Sequence, residues 1–350
     1  MQLRSYPDTN FITGMRGIAA IMVMVVHSAA FTDISFLPHS LSSLGKYGVQ
    51  IFFVIAGFTV ASNAYASMSF KSFAVRRSFR LLIPYFTALF ISLFVAMFFL
   101  IGPAEKHFVV GGLNYSLFAD ILLHVSLLNL FIPELSGSIL GVEWSISLEF
   151  FMYFVVFLMI HKGVFEKNNF WLLLTAILIF TIAVKEITKY FFGWHFSHIF
   201  PLSYSFYFAL GVVAYLIRRN LISSGLKYER LSLILFFLTW ALQPGAAGFL
   251  FGAATFLMLI GSKHNHSLTA KFLSSRVMIF LGTISYSFYL YHFLVIMILR
   301  DIFDQYGYAV PSYLLFLCSL LVTILVSTIS YNLVETPSTK LGKRLALKVN

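Results

Sequence analysis

The sequence predicts an all-α polytopic membrane protein of about ten transmembrane helices, with its N- and C-termini in the cytoplasm. Three observations carry this expectation. Of the 350 residues, 59% are hydrophobic and 11% charged, whereas a soluble globular chain carries about 25% charged residues. The apolar residues are gathered into runs separated by short polar segments, and most runs can cross about 30 Å of hydrocarbon as a helix. Most of the basic residues fall on one side of those runs, as the positive-inside rule requires. The 41 Phe and 18 Tyr suit large apolar contact surfaces and interfacial belts.

The same observations exclude other classes. A net charge of +11 does not call for nucleic acid, because the cations sit in short loops between apolar runs. Cys318 is the only cysteine and lies in an apolar run, so no disulfide or thiolate metal cage is expected. The first apolar run lacks a small-residue cleavage site and reads as a retained spanning helix rather than a signal peptide. The chain is expected to form a single transmembrane domain over 1–350, with a core of about 11–336 and no soluble C-terminal domain.

Taken in order, residues 1–10 are polar and the first helix is expected over about 12–32, followed by a loop with Asp33 and His39. The second covers about 46–65, and a basic stretch at 71–80 separates it from the third, 81–101, which Gly102 and Pro103 end. The apolar segment 117–132 is interrupted by Asp120, His124 and Asn129 and is expected to be re-entrant or interfacial rather than spanning. The fourth helix is placed at 143–160, the fifth at 170–186, the sixth at 200–217, the seventh at 231–243 and the eighth at 246–262. Gln243, Pro244 and Gly245 divide the seventh from the eighth. A ninth at 278–299 and a tenth at 312–334 complete the set.

Loop charges orient these helices. Eighteen of the 24 basic residues fall in segments that this arrangement leaves inside, among them Arg4, Lys71, Arg76, Arg77, Arg80, Lys162, Lys167, Lys263 and Lys348. Only Lys46, Lys106, Lys185, Lys189 and Arg300 fall outside, and Arg16 lies at the boundary. A spanning 117–132 segment would invert every later loop and put most of the cations outside, against the rule.

Residues 14–28, GMRGIAAIMVMVVHS, place an arginine and a histidine inside the first apolar run. Arg16 and His27 are eleven residues apart, so both project from one helix face about 16 Å apart along the axis. Ionisable groups in a membrane helix are costly and mark functional positions by default. With the orientation above, His27, Glu149 of the fourth helix and His292 of the ninth are expected to share a depth in the outer half. Two imidazoles and a carboxylate there suit proton transfer to or from a hydroxyl. No local H-x-x-x-H spacing supports a metal, and none is expected. On the inner side Arg76, Arg77 and Arg80 gather near Arg16, and forked guanidinium groups suit a phosphorylated cytoplasmic ligand.

These residues resemble the acyltransferase-3 family of integral membrane acyltransferases over nearly the whole chain. Arg16 and His27, ten residues between them, look like its hallmark, followed by Gly17-Ile18-Ala19-Ala20. GVQIFFVIAGF (48–58) is similar to the family's GVDLFFVLSGF, and AVRRSFRLLIPYF (74–86) looks like its Arg-x-x-Arg motif, here Arg77 and Arg80, with Pro84 following. WSISLEFFMYF (144–154) is similar to its WSLSVE-type signature, with Glu149 in the acidic place. GTISYSFYLYH (282–292) and SYNLVETP (330–337) look like its last two helices. Gln50 stands where the family often has Asp, and Ala56 where it often has Ser.

The resemblance implies transfer of an acyl group, most often acetyl, from cytoplasmic acyl-CoA to a hydroxyl of a cell-envelope glycan or lipid-linked sugar, in a bacterial plasma membrane. His27 is then the catalytic base with Glu149 in support, Arg16, Arg77 and Arg80 bind the phosphates of the acetyl-CoA donor, and Trp144 and His292 bind substrate. A separate extracytoplasmic partner is an expected alternative to completing the transfer alone. The donor's pantetheine arm is about as long as the span from Arg16 to His27. Two rival classes stand beside this one: a glycolipid or small-solute transporter, which would leave its substrate unmodified, and a non-catalytic membrane scaffold.

Overall fold

The computed structural model describes residues 9–31, 45–66, 69–108, 116–167, 169–221, 225–242, 245–262, 267–305 and 311–349. Arg4, the loop with Asp33 and His39, the Gln243-Pro244 break and Lys263 lie outside the described residues. The described residues form helices and turns, with no strand among them. In chain order the main helices are α1 (Asn10–Phe31), α2 (Gly48–Ala64), α3 (Phe70–Phe99), α4 (Leu117–Val125), α5 (Trp144–His161), α6 (Phe170–Ile199), α7 (Ser205–Asn220) and α8 (Leu226–Leu242). They continue with α9 (Ala247–Gly261), α10 (Arg276–Thr283), α11 (Ser285–Gln305), α12 (Ser312–Ser330) and α13 (Thr336–Ala346). Among the described residues, seven helical stretches are long and apolar enough to cross a membrane. The expected sixth, seventh and eighth spans are the shorter helices α7, α8 and α9, of 16, 17 and 15 residues.

Several boundaries differ from the sequence expectation. The basic stretch 71–80 is not a loop: α3 begins at Phe70, capped by Ser69, whose hydroxyl accepts from the Ser72 amide at 3.2 Å. Arg76, Arg77 and Arg80 therefore project from a helix, and Arg77 is 6% exposed. Pro84 sits inside α3, where it supplies no N–H to the preceding turn. At that turn the Tyr286 hydroxyl donates to the Leu81 carbonyl at 2.7 Å. The fifth helix does not end at 186 but continues as α6 to Ile199 across a kink at Gly193, φ +88°. Lys185, Glu186 and Lys189 do not stop it because long charged side chains reach past apolar surface to water; Lys189 and Glu186 pair at 3.6 Å. The expected ninth span is α10 and α11, parted at Ile284. The tenth continues from α12 through a π-helical turn, Tyr331–Glu335, into α13.

Segment 117–132 supplies only the nine-residue α4 and a following 3-10 turn, Asn129–Phe131. Nine residues rise about 14 Å, too little to span the hydrocarbon. α12 shows the two faces a membrane helix needs. Leu317, Leu321, Leu325 and Ile329 are exposed at four-residue spacing, while Ser319, Thr323 and Ser327 are buried on the opposite face. Small polar residues inside and large apolar ones outside follow from a solvent that is itself hydrocarbon.

One close helix crossing joins α2 to α7. A Cβ at Gly57 would collide with the Phe208 carbonyl, and one at Gly211 with the Val54 carbonyl. The two backbones touch through paired glycines, the small-residue contact typical of membrane helices. Gly57→Val should therefore lower the midpoint of thermal unfolding in lipid nanodiscs, with overpacking costing about 1–3 kcal/mol. An unchanged midpoint would show that α2 and α7 can separate freely.

Candidate active site

The two histidines from α1 and α11 meet. His27 Nδ1 lies 2.7 Å from His292 Nε2, and the rings are stacked with centroids 5.0 Å apart. His292 is 1% exposed, and its Nδ1 lies 2.8 Å from the Tyr289 carbonyl. A carbonyl only accepts, so Nδ1 of His292 carries the hydrogen and its Nε2, in the neutral ring, offers a lone pair. His27 Nδ1–H donates to that lone pair, which leaves His27 Nε2 as the basic nitrogen. Phe293 closes one side of His27 edge-on, with centroids 5.2 Å apart. The Tyr289 hydroxyl is itself fixed, donating to the Val142 carbonyl at 3.1 Å and accepting from Ser145 at 2.7 Å.

Below this pair lies a cluster of cations. Arg16 and Glu149 line one small cavity of about 30 Å³, together with Ser145, Tyr286 and Tyr289. Arg80, Glu149, Tyr153 and Glu335 are all within electrostatic range of Arg16. The Arg77 guanidinium stacks 4.8 Å over the Tyr153 ring and 5.6 Å over Phe73. Arg16 Nε is buried without a hydrogen-bond partner among the described residues. Glu335, on the π-helical turn, accepts from the Ser287 hydroxyl at 2.9 Å and lies near Arg80 and Arg16. Three guanidinium groups face two carboxylates, which leaves an excess of positive charge for an anionic ligand.

Glu149 does not join the histidines. Its carboxylate accepts from the Tyr153 hydroxyl and faces the Arg16 cavity. The expectation of a shared depth fails because it counts turns from Trp144 as though α5 began at the outer surface. Val142 and Glu143 are 1% and 0% exposed, so α5 starts inside the protein and Glu149 lies deeper. His292 contacts His27 rather than open space, which suits positioning the base better than holding substrate. Trp144 lines a separate cavity of about 690 Å³, with its ring 5.8 Å from that of Tyr204.

With this geometry in place, the comparisons with known proteins are direct. The family described as "Acyltransferase domain" matches residues 9–332. The chain belongs to that family. This acyltransferase-domain protein is a multi-pass membrane protein, and the family its motifs resemble is the one it matches. It is 36% identical over 89 residues to "O-acetyltransferase OatA" of Staphylococcus aureus strain NCTC 8325, covering 25% of this chain and 14% of that protein. It is 25% identical to "Putative O-acetyltransferase SACOL0978" of S. aureus strain COL, covering 96% of this chain and 59% of that protein. "Putative O-acetyltransferase SAS0844" of strain MSSA476 is also 25% identical, with 95% and 57% covered. The chain thus spans less than two thirds of the length of these relatives. No solved structure matches it.

One group in the acyltransferase-domain protein escaped sequence reasoning. Asp120 and His124 of α4 are both 0% exposed, as is Glu143. His124 Nε2 lies 3.1 Å from Glu143 Oε1, and its Nδ1 lies 2.9 Å from both the Asp120 carbonyl and Oδ1. Both ring nitrogens thus face acceptors, an arrangement only the imidazolium satisfies. His107 and Ser138 approach Asp120 Oδ2 at 2.6 Å and 2.7 Å, and the Ile139 and Leu140 amides donate to Glu143 Oε1 at 2.8 Å and 3.1 Å. The network pins α4 and the 133–143 turns over the start of α5. Its signal was the four-residue spacing of Asp120 and His124 in an otherwise apolar helix.

Burial alone would push the His124 imidazole down, but its hydrogen bonds to Asp120 and Glu143 and their charges push it up to about 10. A raised folded-state value stabilises the fold fully below the ordinary histidine value of about 6.5. That contribution is lost as pH rises toward about 10. The unfolding midpoint should fall over this window, and His124→Gln should unfold at a lower midpoint with no such slope. An equal slope in both proteins would assign the alkaline loss to other groups.

Proposed function

We propose that this protein transfers an acyl group, acetyl first among them, from acyl-CoA to a hydroxyl of a cell-envelope glycan or lipid-linked sugar, at the plasma membrane. The observation that carries the reading is the His27–His292 bond at 2.7 Å, anchored to the Tyr289 carbonyl. It supports His27 as the base because it leaves Nε2 unprotonated and holds the ring still. In the reaction Nε2 takes the acceptor's hydroxyl proton as the oxygen attacks the thioester carbonyl. The resulting tetrahedral adduct expels the CoA sulfur, the C–S bond breaks, and the proton passes from Nε2 to the departing thiolate. An ester and free CoA remain.

His292 is a positioning residue in this scheme, holding the His27 tautomer as a carbonyl or carboxylate does in other histidine bases. Arg16 and Arg80 support donor binding, since together with Arg77 they outnumber the two nearby carboxylates. Arg77, stacked on Tyr153, keeps the cluster in place. Glu149 is better suited to orienting Tyr153 and balancing the arginines than to proton transfer. A dry interior strengthens each of these interactions.

The experiment uses protein in lipid, acetyl-CoA labelled in its acetyl group, and an envelope glycan fraction from the host. Label should enter glycan as an alkali-labile ester with the native protein, and His27→Ala should abolish it while the protein stays inserted. Label transferred equally by His27→Ala, or glycolipid crossing the bilayer unmodified, would overturn the reading. His292→Ala should lower kcat by about 10²–10⁴, the contribution of a positioned general base, with the KM for acetyl-CoA unchanged. Arg80→Ala should raise the KM for acetyl-CoA more than that for the acceptor. Unaltered dependence on acetyl-CoA concentration would remove Arg80 from the donor site.

A further inference from the structure

The cavity of about 690 Å³ gathers the ends of several helices on one face of the protein. Its lining draws on the turn before α2, the segments after α3 and before α5, the kinked end of α6 and the start of α9. These are the segments that loop charges place outside. The positive-inside rule depletes such segments of cations, and only five fall there. Three of the five, Lys46, Lys106 and Lys185, line this one cavity. The other two are paired, Lys189 with Glu186 at 3.6 Å and Arg300 with Asp304 at 3.5 Å. Among the described residues none of the three cavity lysines makes an ion pair. Among the described residues Glu134 is the one carboxylate in the wall.

The wall is also rich in aromatic side chains, Trp144, Trp194, Tyr47 and Tyr204 among them, interspersed with serines and two histidines. A pocket of this volume, with aromatic surfaces and a few convergent charges, has the make-up of a small-ligand site. Gln50 occupies the wall as a neutral amide, and among the described residues no second carboxylate opposes the cations. The cavity also abuts the reacting residues. Gly141 lies in its wall, a Cβ there would meet the Phe293 ring at 2.6 Å, and Phe293 stands edge-on to His27.

We infer that this cavity binds the acceptor through an anionic group on the glycan, a carboxylate or a phosphate ester, held by Lys46, Lys106 and Lys185 while sugar rings lie against Trp144 and Trp194. The inference rests on the glycan-acceptor reading proposed above and narrows its substrate class. Ammonium groups bind either anion as point charges, whereas a neutral glycan would leave three cations unpaired.

Binding is measured without acetyl-CoA, by tryptophan fluorescence of the full chain in phosphatidylcholine nanodiscs. The probe is the acidic glycan fraction of the host envelope, used intact, after chemical reduction of its carboxylates, and after dephosphorylation. The intact fraction should bind, and one of the two treatments should weaken binding about tenfold or more, naming the anion. Changing Lys46, Lys106 and Lys185 together to Gln should do the same, while Lys189→Gln should not. If the triple variant does not fold, each single change should weaken binding about threefold. Failure of the intact fraction to bind, equal binding by all three forms, or undiminished binding by the lysine variants would overturn the inference. Binding without acetyl transfer would instead sink the proposed reaction and leave the anion site standing. Acetylation of a carboxylate- and phosphate-free glycan at full rate would do the reverse.

Discussion

An ionised side chain removed from water must find partners or cost several kcal/mol, and that constraint arranges the polar residues of this chain. At one face a histidinium is enclosed by Asp120 and Glu143, with backbone amides meeting the second carboxylate. At the opposite end of α1, three arginines share two carboxylates and two aromatic faces. Between them stand two imidazoles that need no charge, because each satisfies the other and the second is closed by a backbone carbonyl. Charge is kept to the ends and the uncharged ring pair to the interior. The His27 ring is therefore held by direction rather than by an ion pair.

The fold was legible wherever hydrophobic length decides it. Apolar runs located α1, α2, α5 and α12 closely. Local chemistry overrode length elsewhere. Ser69 starts α3 a full decade of residues before the apolar run, because a capped helix tolerates Lys71, Arg76 and Arg77 on its first turns. Gly193 bends α6 without ending it, since the residues beyond still bury and bond as a helix.

The site was legible to the same extent. His27 and His292 could be matched because both lie on long apolar helices, where depth is counted along the axis. Glu149 could not, because its depth depends on how far α5 is sunk beneath the 133–143 turns, and those turns are held by Asp120, His124 and Glu143. That network is tertiary: only one of its spacings, four residues within α4, is visible in the chain. The large cavity is hidden for a similar reason, since its lysines lie on three elements far apart in sequence. Val49 lines both this cavity and the one beside Arg16, so the two are neighbours.

The π-helical turn at Tyr331–Glu335 carries a consequence of another kind. A π turn holds one residue more than an α turn, and each residue of an α-helix advances about 100° around its axis. Upstream of it, α12 turns Leu317, Leu321 and Leu325 to the lipid; downstream, α13 sets Gly342 against Phe79 of α3. The extra residue is what phases these two faces and turns Glu335 inward, where it is 4% exposed. Loss of one position from this stretch would let the turn relax to α geometry, and everything after it would swing by about a quarter-turn. Residue count, more than residue identity, is the quantity held fixed there: the C-terminal helix is indexed to the rest of the protein like a key cut to one length.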